Sequence, residues 1–272
     1  MKLPFGRKVG NNIPLPKLTT PPLDRLKSFF LPVFWATSDP DKVAQNIGET
    51  RELVAPGIHF ADNFFTWARN NSMLDDDAFM KSWQSNIESE SDRAIVWRRY
   101  ILSCAAYHCI HLEGDFVECG VYTGVGVKTV IDYLGGTEFP KQFWVYDLFE
   151  HDATMLHHAM PEHGVDLHAK VMRKFAAYPQ VKVLKGRIPE VFDGHSPRKI
   201  AYLHIDLNQA PAEIAALDIL FDRVTTGGII ILDDYEWSGI YRPQKLAEDP
   251  WFEGRRHRVF PLPTGQGLVI KR

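Results

Sequence analysis

Acidic side chains end the apolar, strand-like runs in the second half of the chain. They are Glu118, Asp147, Asp206 and the adjacent pair Asp233 and Asp234. In an open parallel α/β sheet, ligands bind outside the carboxyl ends of the strands. We therefore expect these carboxylates to lie along one edge of a sheet and to mark the ligand-binding side of the protein.

The sequence VECGVYTGVG, residues 117–126, indicates which ligand the first of these strand ends binds. Its glycines are spaced G-x-x-x-G-x-G, whereas a dinucleotide site has G-x-G-x-x-G so that the backbone can approach a pyrophosphate. Glu118 would repel a pyrophosphate and attract an ammonium group, which favours S-adenosylmethionine. Asp147 is then placed to accept hydrogen bonds from the ribose hydroxyls. The alternative is a glycine-rich turn whose neighbouring acids bind no ligand.

Asp206, Asp233 and Asp234 would meet if the strands that carry them are neighbours. Clustered carboxylates repel one another unless a cation or protons compensate them, and carboxylate oxygens are typical ligands of Mg²⁺. Such an ion would bind two vicinal hydroxyls of an acceptor and lower the pKa of one of them. Asp206 is the leading candidate to coordinate the metal and to take the proton. In the alternative, Asp206 binds the amino group of the cofactor and the aspartate pair caps the following turn.

Five of the eleven histidines fall in HDATMLHHAMPEHGVDLH, residues 151–168. This segment follows the second predicted strand and is placed to form a lid over the site, where His151 or His157 would act as general base. The spacing has no zinc-binding form, and histidines in such a segment are more often ordinary surface residues. His204, which alternates with Tyr202 and Asp206 along a strand, is predicted to be structural.

The elements that must position these residues alternate between strands and helices. Strand-like runs are predicted at residues 115–119, 142–149, 181–186, 200–206 and 227–234, with helical periodicity at 124–134, 167–178 and 211–224. This alternation is typical of an α/β protein with a mostly parallel sheet. The last residues, RHRVFPLPTGQGLVIKR, predict a terminal antiparallel hairpin.

The N-terminal part has a different pattern. Residues 1–74 are predicted to form a proline-rich arm (1–23) and an aromatic segment (28–35) that packs on the main domain or on a partner subunit. Residues 75–112 are predicted to form a helical cap of two segments, in the second of which Ile95, Tyr100, Cys104 and His108 recur at helical spacing. Residues 113–272 would then form the ligand-binding domain.

Composition narrows the class of function. A net charge of −3 over 272 residues gives no polycation signature, so nucleic acid is not the expected partner. The three cysteines, Cys104, Cys109 and Cys119, form no C-x-x-C pair and are predicted to be reduced, buried thiols. The absence of a signal-peptide pattern and of a long apolar run favours a cytoplasmic protein. A small hydroxylated acceptor is the expected partner, and the arm is a candidate surface for a homo-oligomer.

Four segments together identify a resemblance: GDFVECGVYTGVGVKTV, VYDLFE, LHIDLNQAPAEIAAL and GGIIILDDYEWSG. They resemble the class I S-adenosylmethionine-dependent methyltransferases, and within them the macrocin O-methyltransferase family. The resemblance implies a Rossmann-like fold with a seven-stranded sheet and methylation of a sugar hydroxyl. Asp206, Asp233 and Asp234 would be the magnesium ligands. The implied cofactor-binding residues are Glu118, Gly120, Val121, Tyr122, Thr123, Gly124, Asp147, Leu148, Gly186, Arg187 and Asp206.

One departure from the family concerns the acceptor side. Where the family has Asp-Gly-Asp followed by Leu-Tyr-Glu-Ser-Thr, this chain reads DLNQAP over residues 206–211 and keeps only the first acid. Three alternatives to a magnesium-assisted O-methyltransferase therefore stay open. They are a metal-independent methyltransferase that uses a lid histidine as base, a non-catalytic S-adenosylmethionine-binding protein and, least favoured, an NAD-linked oxidoreductase.

Overall fold

The structure is a computed structural model that describes residues 29–272, apart from 32, 34, 54–56, 153, 154, 156 and 158. The predicted proline-rich arm, and Ser28, Pro32 and Phe34 of the aromatic segment, lie outside the described residues. No helix within the described residues is long and apolar enough to cross a membrane.

The described N-terminal residues form a small three-stranded sheet that the sequence did not predict. Its strands are β1 (Phe29–Phe30), β2 (Ile58–Ala61) and β3 (Phe64–Trp67), with helix α1 (Pro40–Leu53) between β1 and β2. β1 pairs with β2 in parallel, and β2 pairs with β3 through a tight turn at Asp62 and Asn63. Each strand is only two to four residues long, which is too short for a clear alternation of polar and apolar residues.

The region predicted as a helical cap, residues 75–112, contains three helices instead of the two predicted segments. They are α3 (Asp77–Asn86), α4 (Glu90–Ala94) and α5 (Val96–Cys109), and the short helix α2 (Ser72–Asp75) precedes them. Asp76 caps α3 by accepting a hydrogen bond from Phe79 N, and Ser89 caps α4 by accepting one from Asp92 N. Each cap starts a new helix, because its side chain satisfies an amide that has no partner within the helix.

The last cap helix, α5, forms within the second predicted segment, but two of the four residues noted at helical spacing are exposed. The fully buried residues of α5 include Leu102, Ala106 and Cys109, whereas Cys104 and His108 are exposed. The prediction of a buried thiol is therefore wrong for Cys104 and confirmed for Cys109 and Cys119. The face of α5 that packs on the sheet carries Leu102, Ala106 and Cys109, whereas the ring of Tyr100 packs against Phe79 at 4.8 Å.

The aromatic segment packs within this N-terminal part. The ring of Phe29 makes edge-to-face contacts with Trp83 at 5.9 Å and with Trp97 at 6.3 Å. Leu31 packs against the same cluster, which also contains Met73. The described part of the segment thus packs on the N-terminal cluster, whereas the prediction named the main domain or a partner subunit.

The main sheet confirms the predicted α/β class. Its strands are β4 (Asp115–Cys119), β5 (Phe143–Asp147), β6 (Val181–Lys185), β7 (Ile200–Ile205), β8 (Val224–Leu232), β9 (Phe260–Pro261) and β10 (Gly267–Ile270). They are ordered β6-β5-β4-β7-β8-β10-β9, and only β10 pairs in antiparallel fashion, with β8 and β9. The order changes direction at β4, so the carboxyl ends of β4 and β7 flank the crevice in which such folds bind their ligand.

Helices cover both faces of this sheet. They are α6 (Val125–Tyr133), α7 (Leu167–Lys174), α8 (Ala210–Leu220) and α9 (Arg242–Gly254), of which α9 was not predicted. One core joins Phe116 of β4 to α5, α6 and α7, and a second joins its neighbour Val117 to α8 and α9. Successive side chains of a strand point to opposite faces, so each buried strand contributes to both cores.

The ends of β4 and β7 approach each other too closely for any side chain at Gly120. A Cβ atom there would lie 1.8 Å from the backbone oxygen of Asp206. Gly120 also has a φ of +92°, which disfavours every residue with a side chain. The same approach lets Asp206 N donate to Cys119 O at 2.8 Å. This glycine therefore fixes the position of Asp206 beside the first strand end.

We expect Gly120→Ala to lose about 3 kcal/mol or more of the free energy of unfolding, because the backbone of Asp206 must move away. Chemical denaturation monitored by circular dichroism measures the loss. Gly48→Ala is the matched control, since nothing lies within 4 Å of its added Cβ in helix α1; it should be neutral or stabilising by up to about 1 kcal/mol. Equal stability of the two variants would contradict the close approach.

A buried carboxyl pair joins α8 to α9. Glu213 Oε1 accepts hydrogen bonds from Leu207 N at 3.2 Å and from Gln244 Nε2 at 2.8 Å. Glu248 is fully buried, and neither of its carboxyl oxygens has a hydrogen-bond partner among the described residues. Burial raises the pKa of Glu248 to about 7, and burial with the charge of Glu248 raises the pKa of Glu213 well above its ordinary value.

We expect this pair to make stability fall as pH rises. Folding keeps a proton on Glu248 that the unfolded chain loses near its ordinary pKa of 4.5, so the contribution is complete below that pH and is lost on approach to about pH 7. From about pH 5 to about pH 8, the melting temperature of the wild type should therefore fall by several degrees more than that of Glu248→Gln. Glu253→Gln, on the exposed face of α9, is the control and should follow the wild type.

Candidate active site

The turn after β5 holds Asp147 in a fixed orientation. Its Oδ2 accepts a hydrogen bond from Tyr122 N at 2.7 Å, and its Oδ1 accepts one from Phe149 N at 2.6 Å. Tyr122 and Phe149 have positive φ values of 48° and 58°, which point their amides at this carboxylate. Burial raises the pKa of Asp147, although the amide of Phe149 opposes the shift. Each oxygen keeps a second lone pair that can accept a hydroxyl proton.

Glu118 lies on the adjacent strand end and is buried with His204. Oε2 of Glu118 is 3.0 Å from Nδ1 of His204, and only 3% of Glu118 is exposed. Burial alone would lower the pKa of His204, but Glu118 and Asp233 raise it to about 10. His204 is therefore an imidazolium that partly neutralises Glu118, and this is a more specific role than the structural one predicted from the sequence.

The other predicted cofactor residues surround these two carboxylates. Lys174 Nζ donates to Thr123 O at 2.6 Å, and Gly186 N donates to Asp147 O at 3.0 Å. Gly124 begins helix α6 with a φ of +79°. Val121 is buried, Leu148 is half-buried, and the exposed Arg187 pairs with Asp152. The buried Tyr122 hydroxyl has no hydrogen-bond partner among the described residues.

These observations fit a nucleoside with hydroxyl and amino groups. The oriented Asp147 carboxylate suits a vicinal diol, Glu118 suits an ammonium group, and the Tyr122 hydroxyl lacks a polar partner. S-adenosylmethionine offers both kinds of donor. The assignment of the individual cofactor-binding residues stays a prediction.

Asp206, Asp233 and Asp234, which we call the carboxylate cluster, lie at the ends of β7 and β8. Oδ1 of Asp233 accepts a hydrogen bond from Gln266 Nε2 at 2.7 Å and is 3.3 Å from Nε2 of His204. Oδ2 of Asp233 accepts one from Arg98 Nη1 at 2.7 Å. Asp233 is therefore held from three sides by donors of this chain.

Arg98 joins the carboxylate cluster to the N-terminal sheet. Its Nε and Nη2 atoms donate to the two oxygens of Asp62 at 2.8 and 3.1 Å, and its Nη1 also lies 3.6 Å from Oδ1 of Asp234. Trp35 Nε1 donates to Asp62 as well, at 2.7 Å. One guanidinium thus pairs with carboxylates from the β2–β3 turn and from the end of β8.

The pKa values of the three carboxylates in the cluster are shifted in opposite directions. Burial alone would raise the pKa of Asp233, but Arg98 and His204 bring it below its ordinary value. Burial and the charge of Asp233 raise the pKa of Asp206 to about 7. Burial, with the charges of Asp206 and Asp233, raises the pKa of Asp234 well above the ordinary range. Asp233 is therefore the firmly ionised member, and Asp206 is poised to exchange a proton near neutral pH.

The side chains present do not fit a magnesium site built from the three aspartates. The described His, Cys, Asp and Glu residues that bring three ligand atoms within 4.8 Å of one another are His204, Asp206 and Asp233, without Asp234. In that group both oxygens of Asp233 already accept hydrogen bonds from this chain, Oδ2 from Arg98 Nη1 and Oδ1 from Gln266 Nε2, each at 2.7 Å. A divalent ion would have to displace Arg98.

The predicted lid histidines lie on the cofactor side. His151 Nε2 is 2.7 Å from the backbone oxygen of His157, and its ring stacks on His163 at 6.0 Å. The His163 ring in turn meets Tyr122 of the glycine turn at 5.3 Å. The catalytic role of His151 or His157 stays a prediction.

Sequence reasoning missed Arg98, Asp62 and Gln266. Arg98 is 36 residues from Asp62 and 135 residues from Asp233, so no local spacing connects them. The available signal is the pair Arg98 and Arg99 within the apolar stretch of α5, since a buried arginine requires carboxylate partners.

Comparisons with known proteins agree with this geometry. The family model described as macrocin O-methyltransferase (TylF) matches residues 104–245, which is more than half of the chain. A relative from Streptomyces olivaceus, 8-demethyl-8-(2,3-dimethoxy-alpha-L-rhamnosyl)-tetracenomycin-C 4'-O-methyltransferase, is 28% identical over 150 residues. The match covers 46% of this chain and 54% of the relative, so the chain spans about half the length of that relative.

Two solved structures support the fold. The O-methyltransferase NovP superposes with a TM-score of 0.56 at 19% identity, covering 65% of this chain and 80% of NovP. The TDP-rhamnose 3'-O-methyltransferase CalS11 has a TM-score of 0.51 at 11% identity, with 87% and 96% covered. The predicted family and the Rossmann-like fold are confirmed, and the chain belongs to the macrocin O-methyltransferase family of S-adenosylmethionine-dependent methyltransferases.

Proposed function

We propose that this chain transfers a methyl group from S-adenosylmethionine to a hydroxyl of a small polyhydroxylated acceptor, a sugar or a natural product. The observation that carries the proposal is the joint placement of the amide-held Asp147, the buried Glu118 and Asp206 along one sheet edge. Membership of the family supports the reaction type. The rhamnosyl substrate in the name of the Streptomyces relative supports a sugar hydroxyl as acceptor.

On this proposal, the residues after β4 and β5 bind the cofactor. Asp147 accepts the ribose hydroxyls on lone pairs that the amides of Tyr122 and Phe149 leave available. Glu118 receives the amino group, and Gly120, Val121, Thr123 and Gly124 form the turn around it. Leu148, Gly186 and Arg187 continue this surface towards the adenine. When bound, the cofactor supplies an electrophilic methyl group on a sulfonium.

Asp206 is the base in this proposal. The acceptor hydroxyl forms an O–C bond to the methyl carbon as the S–C bond breaks, its proton passes to the Asp206 carboxylate, and S-adenosylhomocysteine leaves. Gly120 and the backbone of Asp206 hold both partners in alignment, which supplies much of the acceleration. No magnesium ion is part of this mechanism because the carboxylate cluster does not fit one. The cytoplasmic location and an arm-mediated homo-oligomer stay predictions from the sequence.

We expect Glu118→Gln to bind S-adenosylhomocysteine about tenfold to 100-fold more weakly than the wild type, because a charge-assisted hydrogen bond to the amino group is lost. Isothermal titration calorimetry measures the affinity. Glu113→Gln is the matched control: Glu113 precedes the amino end of β4 and makes an exposed ion pair with Lys199. Micromolar binding of NAD with none of S-adenosylhomocysteine would contradict the proposal.

We expect Asp206→Asn to lower kcat by about 10²- to 10⁴-fold, since the proton acceptor is removed, while S-adenosylhomocysteine still binds. The rate is measured with a panel of glycosides and sugar nucleotides. Asp193→Asn, at an exposed position, is the control. An unchanged kcat would move the base to His151 or His157. Cofactor binding by the wild type without methylation of any acceptor would favour a non-catalytic role instead.

A further inference from the structure

We propose that the guanidinium of Arg98 is the built-in cation of the carboxylate cluster and that the protein works without a bound divalent metal. The role of Arg98 in catalysis rests on the proposed function, whereas its place as the cation of the cluster rests on the geometry alone. Arg98 is a positioning residue here, because its contacts within the cluster are with the carboxylates of Asp233 and Asp234.

The guanidinium occupies the side of Asp233 and Asp234 that a cation would bind. Arg98 Nη1 is 2.7 Å from Oδ2 of Asp233 and 3.6 Å from Oδ1 of Asp234. A divalent ion bonded to either oxygen would lie within a few ångströms of this fixed positive charge, and the two cations would repel each other. Arginine and metal are therefore alternatives at this position.

The remaining oxygen of Asp233 is also engaged. Oδ1 faces Gln266 Nε2 at 2.7 Å and His204 Nε2 at 3.3 Å. Two donors match the two lone pairs of a carboxylate oxygen. Gln266 is fully buried and is oriented by Thr264, whose hydroxyl donates to its Oε1 at 3.0 Å. Both carboxylate oxygens of Asp233 are thus engaged by partners within its own chain, Oδ1 by two and Oδ2 by Arg98.

Asp62 binds the edge of the Arg98 guanidinium that does not contact Asp233, and this restricts movement of the arginine side chain. Its Nε and Nη2 atoms form the two-pronged contact with Asp62, and the side chains of Arg98 and Asp62 are only 13% and 6% exposed. Moving the guanidinium would leave Asp62 buried without its counter-charge, although Trp35 still donates to it. The β2–β3 turn therefore locks Arg98 onto the cluster.

This arrangement separates the roles of the three aspartates. Asp233 and Asp234 hold Arg98, while Asp206 makes no ion pair among the described residues and contacts Asn208 Nδ2 at 3.4 Å. Asp206 is left to face the acceptor. The chain thereby keeps the strand-end aspartates of its family, but the guanidinium of Arg98 compensates their negative charge.

The experiment measures Mn²⁺ binding by electron paramagnetic resonance on the purified full chain. We expect the wild type and Asp233→Asn to bind Mn²⁺ equally weakly. EDTA should change neither the melting temperature nor the methylation rate of the wild type. For Arg98→Gln, we expect the Mn²⁺ affinity to exceed that of the wild type by about tenfold or more, because a repelling positive charge has been removed. Adding Asp233→Asn to this variant should abolish the gain. Arg98→Lys keeps the charge and is the matched control without a gain.

Two results would overturn the proposal: wild-type Mn²⁺ binding that Asp233→Asn abolishes, or equal Mn²⁺ affinity in the wild type and Arg98→Gln. If Arg98→Gln does not fold, the double variant Asp62→Asn/Arg98→Gln also removes the orphaned charge of Asp62 and takes its place. Calorimetry with S-adenosylhomocysteine on the same samples tests the proposed function separately, because cofactor binding needs neither Arg98 nor a metal.

Discussion

A buried guanidinium that pairs with carboxylates from two parts of the chain is the interaction on which the site depends. Arg98 on α5 contacts Asp62 in the N-terminal sheet and Asp233 at the end of β8. Buried charges are tolerated only when they are paired and hydrogen-bonded. The N-terminal sheet, helix α5 and the main sheet must therefore assemble together, and the helical cap becomes part of the acceptor side of the site.

The same network reaches the cofactor side through His204. This imidazolium lies between Glu118 and Asp233, with its two ring nitrogens 3.0 and 3.3 Å from their carboxylates. A single buried cation thus links the residue proposed to bind the amino group of the cofactor to the carboxylate cluster. His204 thus offsets the repulsion between Glu118 and Asp233, whereas Asp206 and Asp234, which lie beside Asp233, have raised pKa values.

Local patterns predicted the main sheet well because each of its strands is a short apolar run bounded by turn residues. The acid at each strand end was equally visible, since it interrupts that run. The partners of those acids were invisible, because Arg98, Gln266 and Asp62 lie far away along the chain and no periodicity connects them to Asp233. The small N-terminal sheet was missed for a related reason: its β1 strand has two residues and gains its stability from Trp83 and Trp97. The magnesium prediction followed from the aspartates and from the family resemblance, and it stays a prediction; neither signal includes Arg98, whose guanidinium contacts Asp233.

The most direct test of this account is a crystal structure of the full chain grown with S-adenosylhomocysteine and Mn²⁺, with anomalous data collected at the manganese edge. We expect the nucleoside to lie against Asp147 and Glu118, Arg98 to contact Asp233, and the anomalous map to be empty at Asp206, Asp233 and Asp234. A manganese peak bonded to these aspartates, with Arg98 displaced, would contradict the account.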